Sequence, residues 1–400
     1  MTGWTNLALG EVVTFQRGFD ITKKEQREGA YPVISSSGPT STHVAFKFKP
    51  PGVVIGRKGS LGGVYFANTP YWPHDTTLWV RDFHGNDARF VFYFLQTLGL
   101  ERFDVGASNP TLNRNHLHAM SVTVPPRDVQ RKIAAALSAY DDLIENNDRR
   151  ITVLEEMIQR IYREWFVEFR YPGHENVPSI ESGLGPTPEG WTVQPMAEIA
   201  TVIRGRSYRG AEITDEGGVP FINLKCIARE GGFRPGGVKR YVGDFKSQHM
   251  VVAGDIVVAV TDMTQERRIV ARAARVPEIR DEFGVFSMDL VKVVPREVPG
   301  EYLYGLLRHS GFADEVKAHA NGANVLHLHP DRISEYKAVL PPRTFREDYS
   351  RIVAPMYRES DSLTLAVDSL RKTRDLLLTR LFSGEVDVAE LSITLPDAAE

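Results

Sequence analysis

Two stretches of this 400-residue chain are near copies of each other, and that duplication limits the possible folds more than any other feature of the sequence. Gly3 to Gly18 reads GWTNLALGEVVTFQRG and Gly190 to Gly205 reads GWTVQPMAEIATVIRG, with the Gly-Trp-Thr, a glutamate and the Arg-Gly all coinciding at one offset, 191 − 4 = 187. YPVIS (Tyr31 to Ser35) returns as VPFIN (Val219 to Asn223), and VGASNPTLNRNHL (Val105 to Leu117) as NGANVLHLHPDRI (Asn321 to Ile333). TVPPRDVQRKI (Thr123 to Ile133) returns as VLPPRTFREDYSRI (Val339 to Ile352), now at an offset of 341 − 125 = 216, so the second copy is longer by 216 − 187 = 29 residues, mostly between Phe221 and Gly322. The chain is a doubled unit, and each copy ends in the same Pro-Pro-Arg junction.

Within each copy the pattern is mixed. GVVIG (Gly52 to Gly56), GGVYFA (Gly62 to Ala67), TTLWV (Thr76 to Val80), GDIVVAV (Gly254 to Val260) and DLVKVV (Asp289 to Val294) read as short strands between turn residues. Ala88 to Phe103 and Gly300 to Val316 carry apolar residues at helical spacing and occupy matching places in the two copies. After the first junction, Ile133, Leu137, Tyr140, Ile144, Asn147, Ile151, Leu154, Ile158, Ile161 and Trp165 follow steps of four and three, the seam of a coiled coil. After the second, Val353, Met356, Ser360, Leu363, Val367, Leu370, Arg374, Leu377 and Leu381 follow similar steps with more polar interruptions. Asn147, the polar member of the first stripe, reads either as a device that fixes register or as an incidental solvated position. One helix over residues 127 to 169 would measure about 64 Å at 1.5 Å per residue.

The fold class is therefore α+β: two similar mixed domains joined by two long antiparallel coiled-coil helices. The boundaries expected are 1–125 for the first domain, 126–170 for its helix, 171–190 for a Pro- and Gly-rich linker that reverses the chain, 191–341 for the second domain, 342–384 for the second helix and 385–400 for a loose acidic tail.

Composition excludes several functions. The single cysteine, Cys226, forms no internal disulfide and has no activating base nearby, which leaves a small packed residue. Neither a signal peptide nor a membrane-length apolar run is present, so the expected location is the cytoplasm and no membrane partner is expected. GRKGS (Gly56 to Ser60) lacks P-loop spacing, and SNPT (Ser108 to Thr111) lacks the second proline and aromatic of an amino-group methyltransferase signature. The pairs His116/His118 and His327/His329 have no Cys or carboxylate at zinc spacing, and no metal site is expected. A net charge of −3 argues against indiscriminate coating of nucleic acid but not against local basic faces.

Such faces are present. The second copy carries a run of basic residues from Arg204 and Arg206 through Arg240 to Arg267, Arg268, Arg272 and Arg275, interleaved with Gly, Asn and aromatics. The first offers Arg17, Lys23, Lys24, Arg27, Lys47, Lys49, Arg57 and Lys58. Two similar, unequal domains on a rigid spacer suit two unlike half-sites on one duplex, because DNA repeats a face every ~34 Å.

The run from Gly106 to Phe169, with Gln130 and Ile133 after the Pro-Pro and WFVEF at its close, the linker ending GPTPEGW, and LRKTRDLLLTRLFSGEVDV (Leu370 to Val388) together resemble the DNA-specificity subunit of type I restriction-modification systems over nearly the whole chain. The second copy departs from that pattern at Phe345 and Arg346, where the family often carries Glu-Gln, and in its Gly322 loop. The resemblance implies two target-recognition domains in inverted arrangement, each reading one part of a bipartite, asymmetric double-stranded DNA site, with the helices setting the gap. It also implies a non-catalytic chain that recruits two methylation subunits using S-adenosylmethionine and two restriction subunits using ATP and Mg, with no cofactor of its own.

For base reading the GRKGSLGG loop stands out: Arg57 suits a guanine edge and Lys58 a phosphate, with Ser60 beside them, although a plain basic turn is the equal alternative. His74, Asp75 and Thr76 are polar candidates near the same edge, and the matching region of the second copy, AVTDMTQERR, nominates Thr261, Asp262, Gln265, Arg267 and Arg268. Arg17, Asn113 and Arg114 in the first copy, and Arg204, Arg206 and Asn324 in the second, complete the DNA-contacting set. Two other classes stay open: a coiled-coil scaffold that binds no DNA, and a type II-like system whose methyltransferase is supplied separately.

Overall fold

A computed structural model describes residues 3–104, 111–279, 281–386 and 388. The chain forms two compact units, one of residues 1–146 with 367–400 and the other of 147–366. Each contains one mixed domain and one end of each long helix.

In the first unit an antiparallel sheet runs in the order Thr14–Arg17, Thr77–Asp82, Gly52–Gly56, Val64–Ala67. Every residue of Gly52–Gly56 is buried, which is why that strand reads as a continuous apolar run rather than an alternating one. A smaller sheet pairs Tyr31–Ser35 antiparallel with Gly38–His43 and parallel with Trp72–Pro73. Thr5–Ala8 pairs with Ser121–Val124 and so ties the start of the domain to its end. Asp87 caps the helix Ala88–Thr97, its carboxylate accepting from Phe90 N at 2.8 Å, and that helix buries Phe90, Val91, Phe94 and Leu95 against Leu9, Val53, Ile55 and Leu78.

The second unit repeats the main sheet of this plan strand for strand and enlarges the smaller one from three strands to five. Its main sheet runs Ala200–Arg204, Leu290–Pro295, Ile256–Ala259, Ala273–Arg275, and Val219–Ile222 again pairs parallel with Gly284–Phe286. The register repeats as well: Thr5 faces Val124 as Thr192 faces Leu340, and Arg17 faces Leu78 as Arg204 faces Val291.

The first long helix is α-helical over Arg127–Tyr162 and continues as a π-helical turn, Arg163–Val167; the second spans Arg343–Ser383. In the first unit Ile133, Leu137, Ile144, Val367 and Leu381 are buried, with Tyr140, Leu370 and Leu377 half-buried. In the second unit Ile158, Val353, Leu363 and Ser360 are buried, while Asn147, Ile151, Leu154, Ile161, Trp165 and Met356 are half-buried. Within each unit the two helices run antiparallel. Asp141 pairs with Arg374 at 2.6 Å in the first; in the second Arg150 pairs with Glu359 at 2.5 Å and Tyr162 meets Tyr349 edge to face at 5.7 Å. The π turn widens the backbone where the helix meets the second domain and sets Phe166 among Trp191, Tyr302 and Tyr349.

Two segments differ from the sequence reading. The Pro- and Gly-rich linker 171–190 is more ordered than its composition implies, because Ser179–Ser182 and Gly185–Pro188 form a hairpin, with Gly185 at φ 96 and Ser182 Oγ donating to Gly185 O at 2.7 Å. The described start of the expected loose tail is docked: Val386 packs on the first unit's core and Val388 is buried in it, beside Trp4, Val129 and Ile133. Residues 105–110, which include Ser108 to Pro110 of the SNPT stretch, and most of the acidic tail lie outside the described residues. Among the described residues no helix is long and apolar enough to cross a membrane.

Gln130, one turn into the first long helix, is 1% exposed and spends its amide on three partners. Its Nε2 donates to Asn86 Oδ1 at 2.8 Å and to Pro125 O at 3.0 Å, and its Oε1 accepts from Asp87 N at 3.2 Å. The start of the long helix is thereby tied to the cap of Ala88–Thr97. In the second copy Arg346 takes this position and reaches Glu297 O at 3.4 Å. Gln130→Ala strands the buried groups it serves and is expected to lower the unfolding free energy by about 2–3 kcal/mol. Urea denaturation of the full chain checks this; a loss below about 0.5 kcal/mol, the range of ordinary surface substitutions, would contradict the assignment.

Candidate nucleic-acid interface

The sheet of the first unit ends in an open cleft of about 390 Å³ lined by Arg17, Arg57, Leu78, Thr111, Leu112, Asn113, Arg114 and Asn115. Backbone pairing builds it. Arg17 sits opposite Leu78, which on its other side faces Ile55. Two residues on, Arg57 O accepts from Leu112 N at 2.8 Å and Lys58 bridges Thr111. The amides of Arg57 and Lys58 both donate to Thr76 O, at 2.9 and 3.0 Å, so the loop from Arg57 to Ser60 lies against the loop His74–Thr76.

These contacts bring most of the first copy's candidates together. Arg17 donates to Asp75 Oδ2 at 2.8 Å, His74 Nδ1 lies 2.9 Å from Thr76 Oγ1, and Ser36 N donates to Thr76 Oγ1 at 3.3 Å. Lys58 and Ser60 are exposed, while Arg57 is half-buried at the cleft wall. Asp20, His74 and Asp75 bring ligand atoms within 4.8 Å of one another, but the Arg17 guanidinium already takes up one Asp75 oxygen. Of the pair His116/His118, His118 is a structural acceptor: its Nε2 receives Phe15 N at 2.9 Å, and burial, with Arg114 and His84 nearby, holds its pKa below the usual value.

The second unit carries the same cleft, of about 350 Å³, lined by Arg204, Val260, Thr261, Met288, Val291, His327, Leu328, His329 and Pro330. Val291 lies between Arg204 and Val258 as Leu78 lies between Arg17 and Ile55. Val260 O accepts from Leu328 N at 2.8 Å, and Thr261 pairs with His327. Val260 therefore stands where Arg57 stands, Thr261 for Lys58, His327 for Thr111 and His329 for Asn113. Of this second wall the reading of the sequence nominated Arg204 and Thr261 and weighed His327 and His329 only as a metal pair, although the 216-residue offset that aligns the Pro-Pro-Arg junctions also lays His327 and His329 on Thr111 and Asn113.

Several second-copy candidates do other work. Asp262 is 0% exposed and faces its own loop, not solvent. Its Oδ1 accepts from Thr264 N and Thr264 Oγ1, each at 2.9 Å, and its Oδ2 from Ile269 N at 2.7 Å and Val270 N at 3.3 Å. Burial raises the pKa of this carboxyl, but the hydrogen bonds outweigh burial and hold it below the usual range. Asp262 is thus the clamp of the loop, not a base reader, and Thr261 is buried beside it in the strand pair. Gln265 and Arg267 brace this loop on the next, donating to Ala323 O at 2.9 Å and Ala320 O at 3.3 Å. Arg268 is paired with Glu266, Arg206 Nε donates inward to Asp244 O at 2.8 Å, and Asn324 stays exposed on the braced loop.

The basic run of the second copy is also less available than its count implies. Arg240 is bound to Asp281, Lys239 to Asp215 and Arg275 to Asp361. Cys226 is fully buried, and burial pushes its thiol up to about 12, consistent with a packed residue.

Residues 1–156 match the family model of the type I restriction modification DNA specificity domain. The chain is 23% identical over 391 residues to the type I restriction enzyme MjaIX specificity subunit of Methanocaldococcus jannaschii, an alignment that takes in 93% of this chain and 87% of that one. It is 19% identical over 424 residues to the MjaVIII specificity subunit of the same organism, taking in 97% and 94%. Among solved structures, the S subunit of a type I restriction-modification system from M. genitalium shares the fold with a TM-score of 0.64 at 16% identity, covering 95% of this chain and 96% of that one.

Because the folded pKa of Asp262 lies below its unfolded value of about 3.9, its contribution to stability is complete above that value and is lost as the pH falls through the lower folded one. Asp262→Ala is expected to cost about 2–4 kcal/mol at neutral pH and to flatten the acid limb of the stability curve. Thermal unfolding of both proteins across the acid range checks the sign. A deficit of the variant that grows, rather than shrinks, as the pH falls through the acid range would be the opposite of what this clamp requires.

Proposed function

This chain belongs to the family of type I restriction-modification DNA-specificity subunits, and on that premise we propose that it reads a bipartite, asymmetric DNA site, one half at each cleft. It is the non-catalytic, DNA-recognising member of its system. The observation that supports the bipartite reading is the pair of clefts: backbone hydrogen bonds place them alike, and their walls differ. Arg57, Asn113 and Arg114 in one unit correspond to Val260, His329 and Pro330 in the other. Identical clefts would suit a palindrome; unlike clefts on one scaffold suit two different half-sites.

In this reading Arg57 reads a guanine edge and Lys58 holds a phosphate, with His74 and Ser60 within reach of the same edge. The long helices set the number of unread base pairs between the half-sites, because a fixed rise per residue converts helix length into distance. The chain recruits methylation subunits that use S-adenosylmethionine, and restriction subunits that use ATP and Mg, and delivers them to the site.

A methylation map of source cells with and without the gene tests this. Loss of adenine methylation at one split, asymmetric motif is the expected result. Lengthening both helices by matched whole turns is expected to widen the unread gap while leaving both half-sites unchanged; an unchanged gap in the methylated motif rules out the helices as the spacer.

A further inference from the structure

The two clefts share one cationic residue and little other chemistry. Arg17 and Arg204 end equivalent strands, at the same register against Leu78 and Val291, and both are exposed at the cleft wall. Around them the polar residues have been replaced: Arg57 by Val260 and Asn113 by His329.

A shared internal partner does not account for the arginine. Arg17 is held by Asp75 at 2.8 Å. Arg206 bridges Ser287 as Phe19 bridges His74, which places Met288 where Asp75 stands. Arg204 accordingly has no carboxylate at that place and lies instead 3.3 Å from His329 Nε2. The same guanidinium has been kept at one register position while its intramolecular partner changed from a carboxylate to an imidazole. Whatever both copies use it for lies outside the fold.

Two unlike half-sites differ in their bases and have one feature in common, the phosphodiester backbone. We infer that Arg17 and Arg204 are the sequence-independent phosphate anchors of the two clefts, and that the replaced positions, Arg57 with Asn113 on one side and His329 on the other, carry the choice of bases. This rests on the reading of both clefts as DNA-binding. It divides their walls into one residue that positions each half-site and others that read it.

The test uses the full chain assembled with its methylation subunits and a pool of random-sequence duplexes, followed by salt titrations on one selected and one unrelated duplex. Arg17→Ala and Arg204→Ala are each expected to weaken binding to both duplexes by the same factor and to reduce the slope of log affinity against log salt by about one, with the selected motif unchanged. Arg17→Lys keeps the charge and is expected to retain the wild-type slope, which separates loss of a phosphate contact from loss of folding. Arg57→Ala and His329→Ala are expected to relax bases in one half-site each, a different half for each variant. An altered motif in Arg17→Ala or Arg204→Ala, or an undiminished salt slope, overturns the anchor assignment while leaving the clefts as DNA sites. Wild-type protein that enriches no split motif overturns the DNA reading itself, and the anchors with it.

Discussion

Each unit completes its core with aromatic residues borrowed from the other copy of the repeat, and the rest of the structure depends on this exchange. In the first unit Phe382, from the end of the second helix, lies 5.5 Å from Phe90 and 5.8 Å from Phe94, with Leu381 buried beside it. In the second, Phe166, from the end of the first helix, lies 5.1 Å from Tyr302 and 5.3 Å from Tyr349. Large aromatic side chains dominate the energetics of a small core, so neither domain closes properly without the helix end supplied by the other half. This explains why the helix must both begin firmly, through Gln130, and end at a defined point, through the π turn.

The exchange would be ambiguous if the two ends were alike. They are chemically distinct. In the first unit Asp141 accepts from the Tyr93 hydroxyl at 2.5 Å and from Arg374 at 2.6 Å, and burial together with that carboxylate drives the Tyr93 pKa well above the usual range. The 216-residue offset lays Tyr357 on Asp141 and Arg374 on Ile158, and the aligned starts of the two domain helices, Ala88 and Gly300, lay Gly305 on Tyr93. Gly305 is required there, since a Cβ would come within 2.5 Å of the Tyr162 ring. A first helix packed against a copy of itself would set Asp141 against Ile158 and leave a half-buried carboxylate without its cation, a costly state. The polar trio in one unit and the tyrosine cluster in the other therefore direct each helix end to its own partner.

What the sequence disclosed follows from which interactions are local in pattern. The repeat, the strands around Gly52–Gly56 and Ile256–Ala259, and the seam from Ile133 to Trp165 are all periodic, and periodicity survives in a one-dimensional string. The fate of individual charges is not periodic. Arg275 counts as a basic residue in sequence, yet it is nearly spent on Asp361, 86 positions away, and Arg240 on Asp281. Asp262 reads as an exposed polar candidate in a loop, but four hydrogen bonds from three following residues turn it inward. The hairpin at Ser179–Pro188 was hidden for a related reason, since its glycines and prolines are as compatible with a disordered connection as with a tight turn.

The added residues of the second copy show how such a chain can rebuild the wall of a cleft without losing its fold. Ile34 and Ile222 occupy the same place in their parallel pairs, as do Ile55 and Val258, and Leu78 and Val291, in their sheets. The extra length falls mostly between these fixed points, in the connections after Ile222 and after Val260; the four-stranded sheet keeps its number, order and register, while the smaller sheet grows from three strands to five. A strand cannot slip by one residue without turning its buried face outward, so the sheet resists change, whereas surface connections tolerate insertion. The second cleft shows the result: the loop after Val260 is longer, clamped by Asp262 and braced on Ala320 and Ala323, yet Arg204 still ends its strand at the register of Arg17. Divergence has been channelled into the walls of the clefts because the backbone pairing beneath them leaves little else free to vary.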